Sequence, residues 1–491
     1  MRKKVVIIGG GVAGLSAGIY GQMNGYDTEV IEMHIVPGGQ CTAWDRKGYR
    51  FDYCLHWLVG TAKGPFHDIW RETNVITDSV KIIDHEVHTK IFDDRGNSFT
   101  LYTNIDRWEN YLIGIAPEDT TTIKKMCVDM RKGALLEPFS NAPELRGILD
   151  YLRSLLKMPM TVILMMKYGN KSCRDYFQKL NFKNPRLSFF FNNLYAERDF
   201  SALAFLMMLG WFYHKNAGYL IGGSRPLAER MAERYSSLGG KLILGKKVRS
   251  ILIKNDTATG VDLADGTVIN ADYVVSAADG HATLFEMLQG KYLSEQIEDA
   301  YAKWPLFTPL VQVSFGIDKE VHTEYPVQTY LAKGQKIGGT KLNSGYTIMN
   351  YCFDPTMAPA GKTVIILRYE SPWEFWKDLE GDAYKVEKKQ IERDSILLLE
   401  KYLPGITPHI EVFDIATPKT DVRYTGVWKA AYEGFMPTSK NITKSLTMTL
   451  PGLKNFYMCG QWLFPGGGIP PSAQSGKWVI QMMCKQDKKR R

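Results

Sequence analysis

The sequence lacks long uninterrupted apolar runs, any cysteine motif and a strong excess of charge of one sign. Its 491 residues carry 61 Lys plus Arg and 52 Asp plus Glu, a net charge of +9. No basic helix interleaved with aromatic residues indicates nucleic-acid binding. With 45% hydrophobic and 23% charged residues, the composition is typical of a soluble globular protein. The basic tail at 485–491 is interpreted as a solvated end, with an anionic membrane anchor as the alternative.

The seven cysteines are an odd number, lie far apart in the sequence and form no Cys-x-x-Cys motif. A disulfide scaffold, a thioredoxin-like redox pair and a zinc site are therefore not expected. No metal site is predicted. Reduced thiols favour a cytoplasmic location.

Two segments partly resemble a signal peptide and a transmembrane helix, but neither has the composition or length that such a segment needs. Basic residues precede the apolar run Val5–Ile8, but the five glycines between Gly9 and Gly18 would destabilise an apolar helix. Residues 200–213 are uncharged but number 14, fewer than the roughly 20 that a transmembrane helix needs. We expect no membrane span. Met158–Met166 is apolar on every face, which favours equally a packed core and an apolar tunnel wall or membrane-contacting surface.

The order of predicted elements indicates an α/β protein. The β-branched run Val5–Ile8 predicts a strand buried on both faces, followed by a glycine turn, a helix and a second short strand ending at Ile31. Further helices are predicted at 150–167, 201–213, 225–238 and 383–402 and after the C-terminal glycine cluster. Further strands are predicted at 241–244, 248–253, 260–263, 268–275, 310–317, 363–368 and 455–459.

Gly9-x-Gly11-x-x-Gly14 lies between a predicted buried strand and a predicted helix, as in a dinucleotide-binding turn. Gly9 permits the tight turn, Gly11 leaves room for a pyrophosphate, and Gly14 lets the helix and the strand approach closely. The helix that follows directs its free N–H groups at the phosphates. Glu32, at the end of the second strand, is placed to bond the ribose hydroxyls. Together these features predict a bound dinucleotide.

Later motifs indicate which dinucleotide. Pro37–Gln40 contains a Gly-Gly pair, and Phe51–Gly60 contains the pattern Asp-x-x-x-x-Trp-x-x-Gly. With these motifs the chain resembles FAD enzymes of the amine oxidase and phytoene desaturase superfamily. The Phe-Asp-x-x-x-His-aromatic form is most similar to the retinol saturase and carotenoid isomerase branch. Cys54 departs from the superfamily pattern, which usually has Gly at that position.

The resemblance continues to the C terminus. The matching stretches are Gly222–Leu227, 271–278, Thr417–Thr420, Tyr457–Trp462 and Pro465–Pro470. The last of these is a glycine run leading into a helix, which exposes unpaired N–H groups. Directed at the flavin, these groups would stabilise the negative charge of its reduced form.

The resemblance implies an α/β fold with a discontinuous Rossmann-like FAD-binding domain of the GR2 type and a mixed sheet-and-helix substrate domain. The expected FAD-binding parts are 1–105, 216–280 and 441–491. A helical substrate or lipid-facing region is expected at 106–215 and a substrate domain with a sheet at 281–440. The cofactor-binding residues expected for FAD are Gly9, Gly11, Val12, Ala13, Gly14, Glu32, Gly39, Gln40, Trp57, Val248, Gly460, Gly468 and Ile469.

The implied reaction is desaturation, saturation or isomerisation of C=C bonds in a long apolar substrate, such as a carotenoid, a retinoid, another isoprenoid or a fatty-acyl chain. His56, beside Trp57, is the candidate catalytic proton carrier because imidazole titrates near neutrality. A histidine bonded to backbone at a turn is the alternative. Two other functions stay open: a flavin amine oxidase, and a lipid-binding escort of the GDP-dissociation-inhibitor type. We expect a cytoplasmic location, with peripheral contact to a membrane as the alternative. The sequence does not indicate the oligomeric state.

Overall fold

The computed structural model describes residues 2–133, 140–147, 159–194 and 199–488. Residues 150–158 of the predicted helix 150–167, and the end of the basic tail at 489–491, lie outside the described residues. The helices are α1 (Val12–Met23), α2 (Pro65–Glu72), α3 (Ile105–Ile115), α4 (Thr120–Gly133), α5 (Pro159–Tyr168), α6 (Cys173–Leu180), α7 (Pro185–Asn193), α8 (Ala202–Tyr213), α9 (Ser224–Ser237), α10 (Glu295–Lys303), α11 (Trp373–Trp376), α12 (Gly381–Tyr402), α13 (Pro418–Thr425) and α14 (Ile469–Gln486).

The strands are more numerous and shorter than the helices. They are β1 (Lys4–Ile8), β2 (Asp27–Ile31), β3 (Ala43–Arg46), β4 (Tyr49–Asp52), β5 (Leu58–Val59), β6 (Ile82–Ile83), β7 (Val87–Phe92), β8 (Ser98–Tyr102), β9 (Ala217–Leu220), β10 (Lys241–Ile243), β11 (Val248–Lys254), β12 (Thr257–Leu263), β13 (Val268–Asn270), β14 (Tyr273–Ser276), β15 (Leu310–Ile317), β16 (Val327–Leu331), β17 (Lys336–Ile337), β18 (Thr340–Lys341), β19 (Gly345–Asn350), β20 (Thr363–Glu370), β21 (Ile410–Ala416) and β22 (Phe456–Met458).

A five-stranded parallel sheet in the order β10-β2-β1-β14-β22 brings together the beginning, the middle and the end of the chain. The run Val5–Ile8 in its central strand is buried. An uninterrupted β-branched run is the pattern of a parallel strand that is covered on both faces. The α/β fold expected from the sequence is confirmed.

A second, seven-stranded sheet has the order β21-β15-β20-β19-β16-β7-β8. Its pairs are antiparallel except for β16 with β7, which run parallel. The hydroxyls of Thr89 and Thr329 form a 3.0 Å hydrogen bond across that parallel pair. The hairpin β7–β8 precedes residue 105, yet it pairs with strands of the segment 281–440.

The single strand predicted at 268–275 is instead two strands in different sheets. β13 pairs with β12 in a three-stranded antiparallel sheet, and β14 pairs with β1 in the parallel sheet. The change occurs at Asp272, whose carboxylate accepts a 2.8 Å hydrogen bond from the Lys4 backbone N–H. Asp is unfavourable inside a strand and favourable where a side chain bonds backbone at a bend.

Helices α3 to α8 pack around a core of their own, rich in Phe, Leu and Met. Within α8, one face (Ala202, Phe205, Leu206, Leu209) is buried in that core. Within residues 2–133, 140–147, 159–194 and 199–488, no helix combines the length and the hydropathy that a membrane span requires.

Candidate active site

A cavity of about 1860 Å³ is lined by residues of the parallel sheet, the seven-stranded sheet and the helical region. Gly14 stands outside this lining: a Cβ there would lie 1.9 Å from the Gly9 carbonyl O, so its role in the structure is the close packing of α1 on the turn. The other residues predicted for the site all line the cavity: Gly9, Gly11, Val12, Ala13, Glu32, Gly39, Gln40, His56, Trp57, Val248, Gly460, Gly468 and Ile469.

The N-terminus of α1 opens onto the cavity. Gly11 is its N-cap in an extended conformation, and among the described residues no side chain caps the helix there. The first turn carries no acidic residue. The first N–H groups of a helix have no partner within it, and the aligned peptide dipoles place positive charge at that end. This end of the cavity is therefore suited to a phosphate group.

Glu32 lies on the same side of the cavity, directly after β2. Its two carboxylate oxygens accept hydrogen bonds from the backbone N–H groups of Gly10 at 2.6 Å and His34 at 2.7 Å. Burial raises the pKa of Glu32, and these N–H donors oppose the effect. Fixed in this way, the carboxylate retains lone pairs that can accept sugar hydroxyls.

The N-terminus of α14 opens onto the same cavity. Gly468 precedes the helix with φ of 91°, a conformation that favours glycine. The helices α1 and α14 lie in close contact: a Cβ on Gly476 would lie 2.5 Å from the Ala13 carbonyl O, and Ser16 Oγ donates a 2.6 Å hydrogen bond to the Ala473 carbonyl. This packing brings the first and last sequence motifs to one site.

Gln40 links the two motifs. Its Oε1 accepts a 3.0 Å hydrogen bond from Gln461 Nε2. Its own Nε2 is buried and has no hydrogen-bond partner in the part of the chain that the structure describes. A buried donor without a partner costs about 1–3 kcal/mol, so a polar occupant of the cavity would satisfy it. Two helix N-termini, the Glu32 carboxylate and this amide fit the phosphates, sugar and flavin ring of FAD.

Arg368, on β20, is a cavity residue that the sequence analysis missed. Its Nε donates to Gln312 Oε1 at 2.8 Å and its Nη2 to the Tyr53 carbonyl at 2.6 Å, while Nη1 contacts His56 Nε2. Arg368 itself is buried. The only signal in the sequence was a single charged residue within the apolar strand Thr363–Tyr369.

Arg368 changes the interpretation of His56. The His56 ring has surface open to the cavity but is surrounded by protein. This burial, with the positive charge of Arg368 beside the ring, holds the pKa of His56 well below its usual range. The imidazole is therefore neutral near pH 7, and it has no proton to spare at the nitrogen that faces Arg368.

Glu433 is a second cavity residue without a sequence motif. A Cβ on Gly468 would lie 3.4 Å from Glu433 Oε1, so the carboxyl group is beside the C-terminal glycine turn. It makes no hydrogen bond to any residue that the structure describes, and burial raises its pKa to about 7. A carboxyl group with this pKa can either donate or accept a proton at neutral pH.

Asp279 provides a contrast with Glu433. It also lines the cavity, and burial raises its pKa to about 6. However, its two oxygens accept hydrogen bonds from the backbone N–H groups of Ala282 at 2.9 Å and Trp428 at 3.0 Å. Because its oxygens are engaged in holding backbone, Asp279 is a structural carboxylate.

One part of the cavity is an arm with largely apolar walls. Its wall on one side is a face of α8, opposite the face buried in the helical core: Leu203, Ala204, Met207, Met208, Trp211 and Phe212. Val87, Ile91, Val327 and Met349, from the seven-stranded sheet, also line it. Trp57 lies where the arm meets the polar end, with its ring centroid 5.0 Å from that of Phe212. The arm suits a long apolar molecule.

The comparisons with known proteins agree with this arrangement. The family model described as flavin containing amine oxidoreductase matches residues 12–479. The chain is 25% identical over 499 residues to prolycopene isomerase 1, chloroplastic, of an Oncidium hybrid cultivar, covering 96% of this chain and 82% of the relative. It is 24% identical over 498 residues to the phytoene desaturase (neurosporene-forming) of Cereibacter sphaeroides, covering 95% and 92%. The solved structure of an oxidoreductase from Methanosarcina mazei has the same fold, with a TM-score of 0.63, 17% identity and coverage of 97% and 100%.

Proposed function

The chain belongs to the flavin containing amine oxidoreductase family and is an FAD-dependent oxidoreductase, and from that premise we propose that it desaturates, saturates or isomerises C=C bonds of a long apolar substrate. Carotenoids, retinoids, other isoprenoids and fatty-acyl chains are the substrate classes. The observation that carries the proposal is the cavity itself, which joins a polar end suited to FAD to an arm lined by apolar side chains. The carotenoid-modifying relatives support the same choice.

We propose that the residues at the polar end hold FAD. When bound, FAD accepts or donates a hydride at N5. The N–H groups of Gly11, Val12 and Ala13 take the pyrophosphate, and Glu32 takes the ribose hydroxyls. The backbone of Val248 holds the adenine, as the family resemblance implies. The remaining predicted residues (Gly39, Gln40, Trp57, Gly460, Gly468 and Ile469) surround the flavin ring and ribityl chain.

The arm positions the substrate and excludes water. Its walls combine apolar side chains with uncharged polar ones from the seven-stranded sheet, such as Thr89 and Thr329. Burial lowers the pKa of His88, which also lines the cavity, to about 4, so that residue is uncharged at neutral pH. A polyene gains free energy by leaving water, at about 25 cal/mol per Å² buried. The Trp57 and Phe212 rings then direct one end of the substrate toward the polar end of the cavity.

We propose Glu433, rather than His56, as the group that moves the proton. Its pKa near 7 makes both protonation states available, and its carboxyl group lies beside the glycine turn at Gly468. His56 is neutral and bound to Arg368, so we propose that it orients the polar wall of the cavity. The acid–base role predicted for His56 stays a prediction that its substitution can test.

The proposal is tested by the absorption spectrum of the purified protein and by anaerobic titration with polyenes, retinoids, fatty acids and amines. We expect a bound flavin whose spectrum changes with an isoprenoid or fatty-acyl compound. A spectrum that responds to amines alone would establish the amine oxidase alternative. A colourless protein that binds lipid would establish the escort alternative.

We also propose that substrate enters from a membrane surface beside α5. Ile163, Met165 and Met166 are 51%, 45% and 81% exposed, and Met165 also lines the cavity. Exposed apolar side chains at a cavity opening are typical of a lipid contact. Cosedimentation with phosphatidylcholine and phosphatidylglycerol vesicles should fall several-fold for Met166→Glu. The matched variant Val386→Glu, at a 65% exposed position of α12, should behave as wild type. Equal cosedimentation of all three proteins would contradict a contact at α5.

A further inference from the structure

Two cysteines that the sequence separates lie together in the cavity wall. The hairpin β3–β4 pairs Ala43 with Asp52, and the Tyr53 N–H donates a 3.1 Å hydrogen bond to the Thr42 carbonyl. Cys41 and Cys54 directly flank this hydrogen bond, just beyond the end of the ladder. A disulfide bond requires Cα atoms about 4.4–6.8 Å apart, and the hairpin contact brings the two cysteines into the same part of the cavity wall.

The thiol groups themselves are also close neighbours. Cys41 Sγ donates a 3.5 Å hydrogen bond to the Ser224 carbonyl O, and Cys54 is the neighbouring group that most strongly affects the Cys41 thiol. The contact with Cys54, together with burial, raises the pKa of the Cys41 thiol well above its usual range. Cys54 is less deeply buried than Cys41. We therefore expect Cys54 to react first with an oxidant and Cys41 to act as the second thiol, which attacks the oxidised Cys54 sulfur.

The other cysteines do not share this position. Of the seven cysteines, all of which the structure describes, Cys41 and Cys54 are the two that line the cavity. Cys127 and Cys173 are buried in the core of the helical region. A small oxidant that enters the cavity thus meets Cys54 without any unfolding, whereas it reaches the other buried thiols after local opening.

We propose that Cys41 and Cys54 form a reversible disulfide bond on exposure to hydrogen peroxide, which makes the cavity wall a site of oxidative modification. The Cys54 sulfur attacks one peroxide oxygen, the O–O bond breaks, and Cys54 becomes a sulfenic acid as one water leaves. The Cys41 sulfur then attacks the Cys54 sulfur, the S–O bond breaks, the S–S bond forms and a second water leaves. The two thiols lose two electrons, and their protons end in the two waters.

The bond would join two walls of the site. Cys41 follows the Gly39–Gln40 turn, and Cys54 stands three residues before Trp57. In the reduced protein these walls are connected by the hairpin hydrogen bonds and by side-chain contacts. After oxidation a covalent link would hold them, and a dithiol would release it.

The test uses the purified flavoprotein, hydrogen peroxide in graded amounts, alkylation of the remaining thiols and peptide mass spectrometry without reduction. We expect a peptide linked through Cys41 and Cys54 that has lost two hydrogen atoms and disappears after dithiothreitol, while Cys127 and Cys173 stay alkylated. Cys41 and Cys54 that remain as fully alkylated as these two controls would overturn the proposal.

Two single variants test the order of events. In Cys41→Ser the reaction should stop at the sulfenic acid, which dimedone traps on Cys54. In Cys54→Ser no dimedone adduct should form on Cys41. An adduct on Cys41 in Cys54→Ser, with none on Cys54 in Cys41→Ser, would overturn the assignment of Cys54 as the attacking thiol. The wild-type experiment decides the existence of the bond even where a variant folds poorly.

Discussion

The polar end of the cavity is formed mainly by backbone groups, whereas the apolar arm is formed by side chains. The backbone of the polar end comprises the N–H groups at the start of α1, the Ile469 N–H at the start of α14, and the glycines that leave these groups uncovered. The apolar arm is made of side chains on one face of α8 and on the seven-stranded sheet. Backbone recognition requires glycine at fixed positions and therefore leaves a motif in the sequence. An apolar wall accepts many combinations of Leu, Met and Phe, so it leaves none.

The largest effect should come from the polar end. We expect Glu433→Gln to lower turnover by about 100- to 10,000-fold, the usual contribution of general acid–base catalysis, while flavin stays bound. The wild-type pH profile should inflect near 7. Activity that falls above this pH means that Glu433 donates the proton, and activity that falls below it means that Glu433 accepts it.

The pH profile of the Glu433→Gln variant is the control for this assignment. A variant that keeps both wild-type turnover and the inflection would remove Glu433 from the reaction. His56→Gln provides the comparison, because His56 is neutral near pH 7. We expect this variant to leave the inflection in place.

Gly11→Val should remove flavin without unfolding the protein. The nearest described atom to a Cβ on Gly11 is the Gly38 carbonyl O at 3.8 Å, so the protein itself tolerates a side chain there. A pyrophosphate at this position does not. We expect at least about a 100-fold loss of FAD affinity, close to 3 kcal/mol, measured by equilibrium binding to the flavin-free protein.

Gly114→Val is the control for this substitution, since Gly114 is an exposed helical glycine with open space around it. It should bind FAD as the wild type does. If Gly11→Val binds FAD equally well, the start of α1 is not the pyrophosphate site.

The raised pKa of Glu433 also predicts a dependence of stability on pH. Its pKa is about 7 when folded, against a usual value of 4.5. Between these values the folded protein keeps a proton that the unfolded chain releases, so this residue makes the free energy of unfolding fall as pH rises toward 7. The fall amounts to at most about 3 kcal/mol.

Urea unfolding at pH 5 and pH 8 measures this difference. Asp279 and Asp421 have pKa values raised to about 6 and about 7 and contribute in the same direction in both proteins. Glu433→Gln should therefore lose less stability than the wild type between the two pH values. Identical losses would show that Glu433 is not buried as a carboxyl group.

The smallest effect should come from the apolar arm. Ala204→Phe places a ring in the arm, and we expect kcat/KM for a long substrate to fall by about 10-fold, in the range of one to two kcal/mol that apolar pockets discriminate. The flavin spectrum should not change. Met207→Leu, which nearly conserves volume, should have little effect. A change of flavin spectrum in Ala204→Phe would show that the two ends are not separate.

Much of the polar end was predictable because its residues are close in sequence or follow a known motif. The turn after β1, the helix α1 and the position of Glu32 after β2 all lie within 32 residues. The glycine turn before α14 was predicted in the same way. Local hydrogen bonds and steric requirements determine these elements, so each of them leaves a local pattern.

The features that the sequence analysis missed or predicted wrongly depend on contacts between residues far apart in the chain. The strand predicted at 268–275 divides between two sheets, and the hairpin β7–β8 pairs with strands more than 200 residues later in the chain. Arg368, on β20, and Glu433, which packs beside the glycine turn before α14 from a segment more than 30 residues earlier, both line the cavity. No periodicity in the sequence records which distant segments become neighbours.

By itself, the sequence determined the dinucleotide-binding turn, the α/β character and the family, because glycines, a buried β-branched run and an acid at fixed spacing are local requirements of that fold. The tertiary structure alone decided that α1 and α14 open onto one cavity, that Arg368 lies beside His56 and that Cys41 meets Cys54. The reason is physical: the pKa of a side chain and the reactivity of a thiol depend on neighbours and burial, and long-range packing supplies both.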